Sequence, residues 1–292
     1  MHQPVLLKEV VEELNLSSGK FIIDGTVDGG GHSGEIVQHL KPGGTLLGVD
    51  WDKEMVESLQ SKLKTTGVKT KFIHGNYRDL PQILKEEKLG LADGLLLDLG
   101  FSSEQLEDSG RGFSFLRDEP LLMTYDDNQS PAWEVIHRMS ESKLADIIYQ
   151  FGGERFSRKI ALAIKLAGKK SPIKTSLRLA EIVRDAVPKN YEKGRINPAT
   201  RTFQALRIYL NKELDNLSSI LEKLPEIIAP PGRISIISFH SLEDDLVKKT
   251  FERLVKEKKA KLVNKKPTIA TAKEIAKNPR SRSAKLRTIE IL

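Results

Sequence analysis

The run FIIDGTVDGGGHSG, residues 21–34, constrains the fold more than any other part of this chain. A short apolar stretch ends at Asp24. Glycines then crowd the turn at Gly25, Gly29, Gly30, Gly31 and Gly34, and a helical pattern opens near His32 or Ser33. A strand that runs through a glycine turn into a helix lets backbone approach a nucleotide-like ligand, because glycine adopts conformations a Cβ forbids. The turn therefore predicts an adenosine-bearing cofactor.

The same alternation continues. TLLGVD (45–50), KFIHG around Phe72 and ADGLLLDLG (92–100) read as strands. Helical periodicity lies between them at 54–64 and 80–88, after a first helix over 5–14. Strands alternating with helices predict an α/β fold with a doubly wound, mostly parallel sheet. Beyond Gly100 the alternation stops. Residues 101–127 read as a loop, and 131–200 are helical throughout, as an all-helical insert would be. Residues 203–224 read as one long helix. GRISIISFHS (232–241) restores a buried strand, a helix follows over 242–257, a lysine-rich loop comes next, and LRTIEIL closes the chain as a strand. The expected division is 1–106 for the first part of a Rossmann-like domain, 107–205 for the insert and 206–292 for the second part.

Charge is segregated along this order. Residues 138–212 hold 17 Lys and Arg against 6 Asp and Glu, and residues 248–292 hold 15 against 4. The net charge of +7 thus hides an acidic body carrying two basic segments, which points to a polyanionic partner such as nucleic acid. The chain has no cysteine. Disulfides, thiolate metal sites and cysteine nucleophiles are excluded. The six histidines show no metal-ligand spacing, so no metal is expected. No apolar run approaches a membrane span, and the first residues do not read as a signal peptide. The expected setting is cytoplasmic, with no membrane partner.

Gly29 to Gly34 formally satisfy GxGxxG, with Asp50 at the end of the next strand, a pattern shared with nicotinamide enzymes. Two acids favour a different cofactor. Asp24 precedes the glycines, where it suits an ammonium and opposes a pyrophosphate. Asp98 ends the apolar strand LLLDLG and points to the same end of the sheet. Acids after the first, second and fourth strands match the layout for S-adenosylmethionine, which is cationic at sulfonium and ammonium. Plainer roles compete: Asp24 as a turn cap, Asp50 or Asp52 as a helix N-cap, and His32 as an ordinary first-turn residue.

These residues, with HQPVLLKEVV, IDGT, GVDWD, LLLDLGFSSEQL, RGFSF, INPATRTFQALRIYLNKEL, GRISIISFHSLED and NPRSRSAKLR, carry a resemblance over nearly the whole chain. The sequence resembles the ribosomal RNA small-subunit methyltransferase H family (RsmH, also called MraW). The resemblance implies a class I S-adenosylmethionine-dependent methyltransferase that methylates N4 of a cytidine in the decoding region of 16S ribosomal RNA. It implies small-subunit RNA or the 30S particle as partner and leaves a homodimer open. The cofactor contacts it implies are Gly30, Gly31, His32, Asp50, Tyr77, Asp98 and Gln105. Asp50 would hold the ribose, Tyr77 would lie near the adenine, and Gln105 would close over the cofactor. Tyr77 also reads as a plain core tyrosine, and Gln105 as a plain loop residue. The chain departs from the family at Asp28, where glycine is usual, at PLLMTYD (120–126) in place of PLDMRMD, and at Phe101.

The exocyclic amine of cytosine is a weak nucleophile because its lone pair is delocalised into the ring. Asp98 is the candidate catalytic residue, drawing the amine hydrogens so that the lone pair localises. Methylation at cytosine C5 typically needs a thiolate adduct, which a chain without cysteine cannot form, so nitrogen or oxygen is the acceptor. DLGFSS stands where DNA amino-methyltransferases often carry a DPPY-like motif. Phe101, Phe113 and Phe115 are candidates to stack on an extruded base. Arg155, Arg158, Lys159, Lys169, Lys170, Arg195 and Arg201 are candidates to track phosphates. His240 reads equally as a pocket residue or a satisfied strand-end residue. Two other functions fit parts of the pattern: a non-catalytic RNA-binding or assembly factor, and an NAD-dependent oxidoreductase.

Overall fold

Leu95, Leu96 and Leu97 are consecutive and fully buried, as a strand covered on both faces requires. They belong to a chain whose structure, a computed structural model, describes residues 4–63, 67–100, 110–125, 128–194 and 196–292. Two compact units form, one from Met1–Ser102 with Leu214–Leu292, the other from Ser103–Glu213.

The first unit is built on one sheet. Its leading elements are α1 (Leu7–Glu13), β1 (Phe21–Asp24), α2 (Gly31–Leu40), β2 (Thr45–Asp50), α3 (Lys53–Lys62), β3 (Lys69–His74), α4 (Leu80–Glu86) and β4 (Ala92–Asp98). The chain re-enters this unit near the start of a helix, Glu213–Ile227, that leads into β5 (Ile228–Ser238). The helix Ser241–Lys256, two short strands, β6 (Ala260–Leu262) and β7 (Thr268–Ile269), and the last strand, β8 (Lys285–Ile291), follow. The strand order is β3-β2-β1-β4-β5-β8-β6, with β7 also on β8. The first five strands are parallel, and β8 runs antiparallel to β5 and β6.

Alternate strand residues feed two cores. Ile23, Leu47, Leu95 and Leu97 pack with α4 and the helices after residue 213. Ile22, Leu46 and Leu96 pack with Val10, Ile36, Val37, Val56 and Leu59 of α1 to α3. Strands β1 to β3 step outward, and β4 then returns to the other side of β1. That reversal is a topological switch point, where ligands of open α/β sheets bind at the carboxyl ends of the strands.

The second unit is helical: α5 (Ala132–Arg138), α6 (Glu141–Gly152), α7 (Ser157–Lys170), α8 (Ser176–Asp185) and α9 (Ala199–Asn211). Leu144, Ile148, Ile160, Ile164, Leu179, Val183, Phe203 and Leu206 are buried at helical spacing. Lys165 closes the end of α5 by donating to the carbonyls of Ile136, His137 and Met139 at 3.2, 2.7 and 2.7 Å.

Two expectations are corrected. Residues 203–224 are not one helix: α9 ends at Asn211, and Lys212 turns left-handed with φ 51° before the next helix, α10 (Glu213–Ile227), begins. The lysine-rich segment after residue 257 holds β6, β7 and a short helix, α12 (Ala272–Lys277), beyond the helix α11 (Ser241–Lys256). The short strands exist because β8 pairs with them, a long-range cause.

Candidate active site

Three strand ends place three carboxyls at the switch point: Asp24 on β1, Asp50 on β2 and Asp98 on β4. All three are buried. The turn between β1 and α2 is tied to each neighbour. Gly25 N–H donates to Leu96 O at 2.9 Å, Val27 N–H to Val49 O at 3.3 Å and Asp28 N–H to Asp50 Oδ2 at 3.0 Å. The Asp98 N–H donates to Thr26 Oγ1 at 2.7 Å.

Gly30 caps α2 in the left-handed region with φ 81°, and a Cβ there would meet Leu59 Cδ2 at 2.2 Å. A Cβ on Gly31 would press on Pro4 at 3.0 Å. Glycine is thus favoured at position 30 by its left-handed backbone, and any Cβ there would have to displace the Leu59 side chain.

Asp24 accepts from Ser33 Oγ at 2.6 Å and from Thr26 N–H at 3.3 Å. Burial pushes its carboxyl up to about 7, with the Asp50 charge adding to the rise and the two hydrogen bonds opposing it. Asp50 accepts from the N–H groups of Asp28 and Asp52, the latter at 2.9 Å, and burial raises it to about 6. The N-cap of α3 is Asp52, which accepts from Glu54 and Met55 N–H. The helix cap thus falls to Asp52, while each Asp50 carboxyl oxygen accepts a backbone N–H. Burial raises Asp98 to about 8, helped by the charges of Asp24 and Glu243. Its Oδ1 is buried and, among the described residues, has no hydrogen-bond partner.

His32 is buried, with Nε2 3.0 Å from Val5 O and Nδ1 3.5 Å from Asp98 Oδ2. A carbonyl only accepts, so Nε2 carries the proton in that bond. Tyr77, in the turn after β3, is buried in the core and edge-on to Trp51 at 6.0 Å between ring centroids. Gly30, Gly31, His32, Asp50, Tyr77 and Asp98 all fall in this one unit. Gln105, Phe101 and Arg195 lie outside the described residues. Thr26 and Ser33 join the site without having been singled out in the sequence. Their signal is a hydroxyl two residues after Asp24 and another in the first turn of α2.

Other candidates take structural places. His240 is the N-cap of α11 in a capping box with Glu243, accepting its N–H at 3.3 Å. Phe113 is buried and stacked on Tyr125 at 5.0 Å, and Phe115 meets Phe203 edge-on at 5.2 Å. Arg201 is held by Glu192 at 3.0 Å, and Arg158 by Asp146 at 2.8 Å on an exposed face.

A mostly parallel Rossmann-like sheet with acids at the ends of β1, β2 and β4 and a glycine turn between them is the layout expected of an S-adenosylmethionine-dependent methyltransferase. A family model described as the MraW methylase family matches residues 1–292. A "Ribosomal RNA small subunit methyltransferase H" of Syntrophus aciditrophicus is 42% identical over 305 residues, covering 99% of this chain and 97% of that protein. The protein of the same name in Coprothermobacter proteolyticus is 43% identical over 291 residues, covering 99% and 95%. A solved S-adenosylmethionine-dependent O-methyltransferase of Thermotoga maritima is 10% identical, covers 99% and 67%, and has a TM-score of 0.43. The chain belongs to the MraW methylase family.

The cofactor of such a methylase is S-adenosylmethionine. The site's chemistry fits it. Three buried carboxyls and an Asp98 oxygen that has no partner among the described residues suit a ligand that brings positive charge and hydrogen-bond donors.

Proposed function

We propose that this protein methylates small-subunit ribosomal RNA in the cytoplasm, at N4 of a cytidine in the decoding region. The coarse reaction is supported by family membership and by the printed names of the relatives. The observation that carries the atom assignment is Asp98 Oδ1, a buried acceptor with no donor among the described residues, at the strand end beside the glycine turn.

S-adenosylmethionine supplies an electrophilic methyl group when bound. Asp50 receives the ribose hydroxyls, and the backbone of Gly30 and Gly31 allows close approach. His32 and Tyr77 complete the contacts, with Gln105 assigned by resemblance. Asp98 accepts hydrogen bonds from the exocyclic amine, turns its lone pair toward the methyl group and takes the proton that the nitrogen loses. Fixing both reactants in line supplies on the order of 7–11 kcal/mol of the barrier reduction. The helical part, residues 107–205, acts as the substrate domain. Its phosphate contacts come from Arg155, Lys159, Lys169 and Lys170, since Arg201 is already engaged by Glu192.

The test is radiolabelled methyl transfer to undermethylated small subunits and to naked RNA, with nucleoside mass spectrometry of the product. N4-methylcytidine is the expected nucleoside. A product methylated on ribose or at C5 would refute the atom assignment, and no transfer to either substrate would favour a non-catalytic assembly factor.

A further inference from the structure

Residues 270–284 leave the sheet and return to it at one edge. β7 ends at Ile269 and β8 begins at Lys285, and these two residues are paired with each other. Lys285 also stands opposite Ser238, the last residue of β5, so both ends of the excursion sit at the carboxyl ends of the parallel strands. Asp98, Ile237 and Leu286 are in register across β4, β5 and β8, which sets the return point two strand spacings, about 10 Å, from Asp98.

The excursion is pinned to the sheet. Ser281 and Ala284 are buried, Ser281 Oγ donates to Asn278 O at 2.7 Å, and Ile275 packs against the core that holds Ile22 and Leu96. Its charges are one-sided: Lys273, Lys277, Arg280 and Arg282 stand against Glu274 alone. Glu274 accepts the Leu6 N–H at 2.8 Å, which engages the single acid with the start of α1. Lys273, Lys277 and Arg282 are exposed and, among the described residues, have no ion-pair partner.

Other cations of the second basic segment are compensated. At the opposite end of β8, Lys259 pairs with Glu257 at 2.8 Å and Lys261 with Glu290 at 2.7 Å. Lys285 and Arg287 are held by Asp244 at 2.8 and 2.6 Å. Three cations without counterions are thus fixed on the rim that carries Asp98, and a cluster of one sign attracts a polyanion.

We infer that residues 270–284 are a second RNA-binding surface, in which Lys273, Lys277 and Arg282 hold phosphates flanking the nucleotide presented to Asp98. A base delivered to a buried strand end leaves its stack, and the strand it came from then crosses this rim. The inference deepens the proposed ribosomal RNA methylation and rests on it. It gives the first unit its own grip on RNA, separate from the phosphate contacts of the helical part.

The experiment compares the unmodified full chain with two triple variants of equal charge change. One carries Lys273→Gln, Lys277→Gln and Arg282→Gln on the rim. The other carries Lys256→Gln, Lys258→Gln and Lys259→Gln at the far end of the sheet. Binding to undermethylated small-subunit RNA is measured from 50 to 200 mM salt, with methyl-transfer kinetics and calorimetry of S-adenosylmethionine beside it. The rim variant is expected to bind RNA on the order of tenfold more weakly and to lose about 2 from the log–log salt slope, as three lost contacts to single-stranded RNA require. Its KM for RNA rises in step, while kcat and cofactor affinity hold, which also shows that the variant is folded. Equal weakening in both variants would reduce the effect to net charge and overturn the inference, as would a rim variant that binds like the unmodified protein. If the unmodified protein neither binds nor methylates the RNA, the RNA reading itself fails and takes the inference with it.

Discussion

His32 Nδ1 lies 3.5 Å from Asp98 Oδ2, and both groups are buried. The opposite ring nitrogen donates to Val5 O, which fixes the ring with Nδ1 toward the carboxyl. The proposed acceptor of the reaction is thus held beside a positioned imidazole.

Asp98→Asn keeps the shape and removes the base. Methyl transfer falls about 10²- to 10⁴-fold, the usual span for a general acid–base group. Cofactor binding, read by calorimetry, weakens far less than turnover. Equal losses in both would reduce Asp98 to a cofactor ligand.

Cofactor binding releases protons. In the free protein Asp24, Asp50 and Asp98 titrate at about 7, 6 and 8, so they are partly protonated near neutrality. A cationic ligand favours the ionised forms, so affinity rises between about pH 6 and pH 8. Titrations at pH 7 in two buffers of different ionisation heat give different apparent enthalpies. Identical enthalpies would show that no proton is exchanged.

The same carboxyls make stability fall with rising pH. Unfolded aspartates titrate near 3.9, well below these values, so between about pH 4 and pH 8 the folded state binds more protons than the unfolded. Their contribution is neutral below that window and unfavourable above it. The melting temperature of the free protein drops from pH 5 to pH 8, and Asp24→Asn or saturating cofactor flattens the drop. A flat profile in the unmodified protein would contradict the raised values.

Gly30→Ala combines a left-handed backbone with a Cβ that would sit 2.2 Å from Leu59 Cδ2. Overpacking of this kind costs about 1–3 kcal/mol, measurable as a lower urea midpoint with an unchanged slope. In a Leu59→Ala background, where the space is already open, the added loss from Gly30→Ala shrinks, whereas a purely conformational penalty stays the same in both backgrounds.

Much of the sheet was legible because its strands are buried on both faces. TLLGVD was located to the residue as β2, and the apolar run before Asp98 could hardly be anything else. The break at Lys212 was not legible, since apolar spacing continues through it and no glycine or proline marks the turn. β6 and β7 escaped because two of the three β6 residues are exposed and the pairing comes from β8. At the site, residue types placed the acids but not their tasks. Asp50 and Asp52 competed for the helix cap until the backbone gave it to Asp52. The left-handed conformation of Asp28, with φ 44°, left no trace in its own residue type, since aspartate occurs in many turns.

Thr26 Oγ1, in accepting the N–H of Asp98, joins the cofactor turn to the strand end that carries the proposed base. The two proposed tasks therefore share one hydrogen-bonded junction of turn and strand end. An enzyme assembled this way can hold its donor in readiness while the far larger RNA partner is still being recognised.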